Sequence, residues 1–214
     1  RWTGLPPAAV IGDLMTGSGN KEEQSARTRQ TLIVVARQFF GERGYAETGT
    51  EDIVQEAGVT RGALYHHFVD KRDLFEAVYI DLQDELRDRI VAAAGSAEVD
   101  SIWVRIHRGT HEYLDHYMDA TVQRIVLIDA PSVLGWNRWR ELDEDYALGL
   151  LRGALSQASE QGILAADADS DVLAHLMMGV ISEASHVIAM AEDVTAARRA
   201  VGVEGDRILD SLRQ

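Results

Sequence analysis

From Lys21 onward, apolar residues recur every three to four positions, the period of an amphipathic helix, and no stretch of Val, Ile and Thr alternates as a half-buried strand would. The pattern predicts an all-α chain. Leu32, Val35, Ala36, Phe39 and Phe40 mark one face of a first helix over residues 25–42, with Arg27, Arg29 and Arg37 turned away from it. Gly44 is read as its stop, because glycine accepts the left-handed conformation that ends helices, and Tyr45 follows as an apolar plug. Thr50 is read as the N-cap of a short second helix, 51–57, with acidic residues in its first turn. Gly58 permits a tight turn, Thr60 caps a third helix, 61–67, and Asp70 with Asp73 opens a long fourth helix, 71–94. That last helix carries Leu74, Val78, Leu82, Leu86 and Ile90. Further helices are expected at 101–117, 119–128, 137–161, 170–191 and 195–212, separated by Pro131, Gly162 and the acidic run 167–171. Residues 1–24 form an extension. Thr16-Gly17-Ser18-Gly19-Asn20 reads as a linker, and Leu5 to Leu14 as either a loose tail or an apolar arm docked on the body or a partner.

The net charge of −14 argues against a nucleic-acid partner until its distribution is considered. Residues 21–80 carry eight Lys/Arg and ten Asp/Glu, whereas residues 81–214 carry twelve and twenty-four. The acidic excess therefore belongs to the C-terminal part. The absence of cysteine excludes disulfides, thiolate zinc clusters and cysteine catalysis. The apolar stretch near residue 5 is too short to span a bilayer and lacks the layout of a signal peptide, so a cytoplasmic protein with no membrane partner is expected.

The segment 48–71 has the physics of a helix-turn-helix. Ile53, Val54 and Ala57 face inward, Ala57-Gly58-Val59 turns, and Leu64 and Phe68 anchor the next helix. Thr60, Arg61, Ala63 and His67 are left to project outward. A helix so held can enter the major groove with its N-terminal residues near base edges. This segment, ending in Leu64-Tyr65-His66-His67-Phe68-Val69-Asp70-Lys71, closely resembles the TetR family of bacterial repressors over about residues 26–80. The stretch 127–144, with Trp136 and Trp139, and the stretch 176–182 look more weakly like parts of some TetR-type C-terminal domains.

The resemblance implies a helix-turn-helix domain over 25–70 and a helical ligand-binding and dimerisation domain over 71–214. It implies that Thr50, Tyr65, His67 and Lys71 hold phosphates, and that Thr60, Arg61 and Ala63 face base edges. Gly62 would allow close backbone approach, and Arg27 and Arg29 would touch the flanking backbone. Arg61 is the best placed for a bidentate contact to guanine. The partners implied are double-stranded operator DNA, a small-molecule effector and a second copy of the chain, paired through the two last helices. The helix over 170–191 is apolar on more than one stripe, as such pairing requires.

Most large aromatics fall in the middle helices. Trp103, His107, His111, Tyr117, Trp136, Trp139 and Met177 are the candidate lining of a pocket for a largely apolar effector, which the acidic domain would prefer neutral or cationic. His107 and His111 share one helix face and could hold a metal with Glu112, His175, Glu183 or His186, but polar core or pocket histidines are the simpler reading. No metal or cofactor is expected. The chain has no phosphate loop, nucleophile elbow or His-Glu-x-x-His motif, so it is read as a regulator and not an enzyme. A repressor released by its effector is the leading expectation, with an activator or ligand-free regulator, and more remotely a helical enzyme or carrier, as alternatives.

Overall fold

The computed structural model describes residues 8–95 and 101–214, with side chains described for 21–95, 101–142 and 146–214. The described residues are helical and contain no strand. The elements are α1 (Ala8–Glu47), α2 (Thr50–Glu56), α3 (Arg61–His67), α4 (Lys71–Ala94), α5 (Ile102–His116) and α6 (Ala120–Val122), then α7 (Ala130–Leu134), α8 (Trp136–Asp143), α9 (Gly149–Glu160), α10 (Ser170–Ala189) and α11 (Val194–Asp210). Wider π-helical turns, Gln123–Asp129 and Glu144–Leu148, join α6 to α7 and α8 to α9.

Local chemistry explains most of the boundaries. Gly44 sits at φ 81°, ψ 166°, so regular α1 stops where the sequence places its stop. Asp70 caps α4 by accepting from the Asp73 amide, and the Asp73 carboxylate returns the favour to the Val69 amide, each at 2.8 Å. Asp169 and Asp193 cap α10 and α11 with their side chains.

Four sequence expectations are corrected. α1 begins at Ala8 and not near residue 25, so the Thr16–Asn20 stretch lies inside a helix and is no linker. Residues 1–7 of the expected extension lie outside the described residues. The cap of α2 is Gly49, and Thr50 is its first helical residue. Pro131 does not separate elements: it is the second residue of α7, which continues from the preceding π-helical turn, and the break falls at Gly135 with φ 79°. The widened turn Gln123–Asp129 ends two residues before this proline, whose ring crowds the carbonyl four residues back.

Leu32, Ile33 and Phe40 of α1 pack with Ile53 of α2, Leu64 of α3 and Phe75 of α4 as the N-terminal core. Phe40, Tyr45 and Phe75 form edge and tilted ring contacts at 5.2–5.7 Å, with Tyr45 plugging the end of α1 as expected. α4 continues into the C-terminal core through Leu82 and Leu86, where α5 packs along it and α9, α10 and α11 close the other sides. Polar bonds also tie the two cores. The Tyr45 amide donates to Asp129 Oδ2 (2.8 Å), Arg72 donates to the Leu134 carbonyl (2.7 Å), and Arg138 pairs with Glu76 (2.6 Å).

Candidate nucleic-acid interface and effector cavity

The turn between α2 and α3 is a Schellman motif. Gly58, at φ 64°, donates to the Gln55 carbonyl (3.2 Å) and Val59 to the Val54 carbonyl (3.0 Å). This closes α2 and aims α3 away from it. Thr60 then caps α3 by accepting from the Ala63 amide at 3.1 Å. Leu64 and Phe68 are buried and fix the inner face, which leaves Arg61, Gly62, Tyr65 and His66 exposed, with Ala63 and His67 half-buried.

The Arg61 guanidinium lies over the Tyr65 ring, 5.5 Å from its centroid, and pairs loosely with Glu51 at 3.5 Å. Both charged groups of that pair are mostly in water, so it holds Arg61 in place weakly and yields readily to a better partner. A Cβ on Gly62 would meet only Thr60 Oγ1 at 3.8 Å, so nothing inside the fold demands glycine there. Thr50, at the start of α2, is half-buried. His67 packs beside His66 and Phe68, and Arg29 stacks over Phe68 at 5.2 Å. Burial, then the neighbouring His66 and Arg29, pushes His67 below the ordinary histidine range. Arg27 stands in solvent, paired with Glu23.

Lys71, which the resemblance implies as a phosphate ligand, is engaged within the fold. Its ammonium donates to the carbonyls of Tyr45 (2.8 Å) and Thr48 (3.0 Å), and lies 4.2 Å from the Tyr45 ring centroid. It satisfies carbonyls left free where α1 ends. Thr48 was not singled out in the sequence, yet its buried hydroxyl bonds the Gly44 and Phe39 carbonyls and completes the same closure.

In the C-terminal part, a cavity of about 180 Å³ lies between α4, α5, α9 and α10. Ile90 and Val91 of α4, Ile102, Ile106 and Tyr113 of α5, Leu151 and Ala154 of α9, and Met178 and Ile181 of α10 line it. The residues expected to line a pocket are elsewhere. Trp103, His107 and His111 occupy the face of α5 that packs on α11. Trp103 Nε1 donates to Asp210 (3.0 Å), His107 contacts Asp206 (2.8 Å) and Asp210 (3.1 Å), and His111 contacts Asp206 (2.9 Å). Tyr117 is buried with its ring 4.8 Å from that of Tyr113, one turn beyond the cavity. Trp136 and Trp139 contact each other at 5.2 Å on α8, and Trp136 is exposed. Met177 is buried, and its neighbour Met178 is the methionine that faces the cavity.

One ligand atom each from His107, His111 and Asp206 lies within 4.8 Å of the others. However, Arg198 Nη2, a donor, approaches His111 Nδ1 at 3.0 Å. Nδ1 must then accept, which places the proton on Nε2 toward Asp206 and leaves no lone pair there for a cation. The group is a hydrogen-bonded clasp between α5 and α11. Within it burial opposes ionisation of Asp206, but bonds from His107 and His111 hold that carboxyl below the usual range. Bonds from Trp103 and then His107 do the same for Asp210. Glu112, His175, Glu183 and His186 are not part of it: Glu112 pairs with Arg89, His175 contacts Arg152, and His186 contacts the Ser182 carbonyl.

Comparison with known proteins agrees with this architecture. Residues 32–78 match the family model for bacterial regulatory proteins of the tetR family, and residues 103–212 match the tetracyclin repressor-like C-terminal domain. The chain is 29% identical over 165 residues to the transposon Tn10 TetC protein of Escherichia coli, covering 77% of this chain and 82% of that one. It is 35% identical over 105 residues to the HTH-type transcriptional regulator TtgR of Pseudomonas putida, about half of each chain. A TetR-family transcriptional regulator from Pectobacterium atrosepticum superposes with a TM-score of 0.75 at 34% identity, covering 89% of this chain and 96% of that one. With a helix-turn-helix built on α2 and α3 and both halves of the chain matched, the protein belongs to the TetR family of DNA-binding transcriptional regulators.

Proposed function

We propose that the protein is a cytoplasmic homodimeric repressor, not an enzyme, that places α3 in the major groove of a pseudo-palindromic operator and leaves it when a small molecule fills the cavity beside α4. The observation that carries this reading is the exposed N-terminal half of α3. Arg61 is held by a weak surface pair and by the exposed Tyr65 ring, with Gly62 and Ala63 small enough to let the backbone approach bases. Arg61 reads a guanine, the Thr50, Tyr65 and His67 side chains hold phosphates, and Thr60 contributes as the cap that fixes the helix N-terminus. Lys71 acts through the fold and not on DNA.

Two copies are needed to meet successive major grooves. α10 supplies the surface. Ala174, Met178, Ile181 and Ile188 bury one stripe in its own core, while Val172, Leu176, Val180 and Val187 leave a second apolar stripe exposed. Nothing lies within 4 Å of a Cβ built on Gly179, in that exposed stripe, so a partner helix can approach closely. α10 is also long and apolar enough to cross a membrane by composition alone. A helix with one stripe in a soluble core and one on a partner explains that composition.

Release follows from connection. α4 lines the cavity with Ile90 and Val91 and begins directly after α3. The bonds from Tyr45 to Asp129, from Arg72 to Leu134 and from Arg138 to Glu76 carry a second link between the domains. The effector must prefer the state that does not bind DNA, and operator must weaken effector binding by the same factor. Fluorescence anisotropy of a selected operator, titrated with and without effector, tests this. Equal effector affinity for free and operator-bound protein refutes release.

A further inference from the structure

We infer that the effector taken by this cavity is an apolar carboxylate, anchored by Arg105. The inference rests on reading the cavity as the effector site and adds the charge and size of its occupant. Among the described residues that line it, Arg105 is the only charged one. Its Nε is buried and has no hydrogen-bond partner among the described residues. Half-buried arginines elsewhere in this domain pair with carboxylates: Arg89 with Glu112, Arg138 with Glu76, Arg152 with Asp171 and Arg198 with Asp115. Among the described residues no carboxylate pairs with Arg105, and a carboxylate entering the apolar hollow would meet its guanidinium in a two-bonded fork.

Arg105 stands one turn before Gly109 on α5, on the same face as Ile106 and Tyr113. The absent side chain of Gly109 lets α4 come close, since a Cβ there would lie 3.2 Å from Ile90 Cγ2. The remaining walls are aliphatic, from Ile90, Leu151, Met178 and Ile181. A volume of about 180 Å³ is similar to that of cavities which hold one benzene ring, at about 150 Å³. The occupant is therefore an acid with a body the size of one aromatic ring or a medium acyl chain. This reverses the expectation of a neutral or cationic effector from net charge. The acidic surface is screened beyond a Debye length, about 8 Å at physiological salt, whereas Arg105 touches the ligand.

Calorimetric titration of the full chain with octanoate, 1-octanol and octylammonium tests the inference on wild type, R105M and R105K. Octanoate is expected to bind saturably and tightest. R105M weakens octanoate by about 10- to 100-fold, the worth of a charge-assisted pair, while octanol affinity is unchanged. R105K recovers part of the loss. Octanol or octylammonium binding wild type as tightly as octanoate, octanoate binding unaffected by R105M, or no saturable octanoate binding would each overturn the inference, and the first comparison needs no variant. Operator release is read separately. Arg105-dependent octanoate binding without release leaves this inference standing and refutes the release mechanism. Release by octanol as effective as by octanoate does the reverse.

Discussion

Replacing Lys71 by methionine removes an ammonium while keeping the apolar stem. Two carbonyls, of Tyr45 and Thr48, then lose donors at 2.8 and 3.0 Å, and the Tyr45 ring loses a cation 4.2 Å from its centroid. Hydrogen bonds to charged groups contribute about 1.5–3 kcal/mol each, and water can reach this half-buried site to replace part of them, so a net loss of about 2–3 kcal/mol is expected. That is a large share of the roughly 5–15 kcal/mol that holds a domain together, and it should lower the urea midpoint clearly. Operator affinity measured well below that midpoint should keep its salt dependence. A phosphate-binding lysine behaves in the opposite way: its removal leaves stability alone and reduces the slope of log affinity against log salt by about 0.9. Unfolding followed by circular dichroism, paired with anisotropy at several salt concentrations, separates the two. An unchanged midpoint with a reduced slope would refute the structural role.

Other expectations follow from single residues. Arg61→Ala should cost about 1–3 kcal/mol of discrimination at one operator position while leaving affinity for unrelated duplexes nearly unchanged, as measured on a panel of base-substituted operators. Gly58→Ala should destabilise by about 1–2 kcal/mol through backbone strain alone, because φ is 64° and nothing lies within 4 Å of the new Cβ; thermal unfolding reads this directly. Burial and then Arg89 hold His116 down at about 4, against 6.5 in an unfolded chain. The unfolded state therefore takes the proton first, and stability present above pH 6.5 is lost as pH falls toward 4, by about 2 kcal/mol at pH 5. His116→Gln should flatten that part of the profile in urea titrations at pH 7 and pH 5. Leu176→Glu should place a charge in the exposed stripe of α10 and dissociate the dimer, seen as halved mass in sedimentation with loss of operator binding.

The DNA-reading half was legible because its determinants are local. A glycine at a positive φ, a threonine cap and a reciprocal aspartate cap each act within about one helical turn, so Gly58, Thr60 and the Asp70–Asp73 pair could be read from spacing alone. The cavity was not, because a cavity forms where side chains are small. Gly109, Ala147 and Ala154 open this one, whereas the conspicuous Trp103 and Trp139 fill space. α5 further divides its faces. Trp103, His107 and His111 recur every four residues toward Asp206 and Asp210, and Ile102, Arg105, Ile106, Gly109 and Tyr113 form the other face. Periodicity shows that such a helix has two faces, but which partner each face meets depends on α11, about a hundred residues later. The same holds for Lys71, whose carbonyl partners are set by how α4 docks against the end of α1.

Selection from a pool of randomised DNA duplexes tests the central claim most directly, since it presumes neither operator nor effector. Dimeric protein that reads bases through α3 should enrich an inverted repeat whose half-sites lie about 34–36 Å apart, one turn of B-DNA. The same selection with Arg61→Ala should lose preference at one position in each half-site. A wild-type pool that stays random at moderate salt, with all duplexes bound equally, would contradict it.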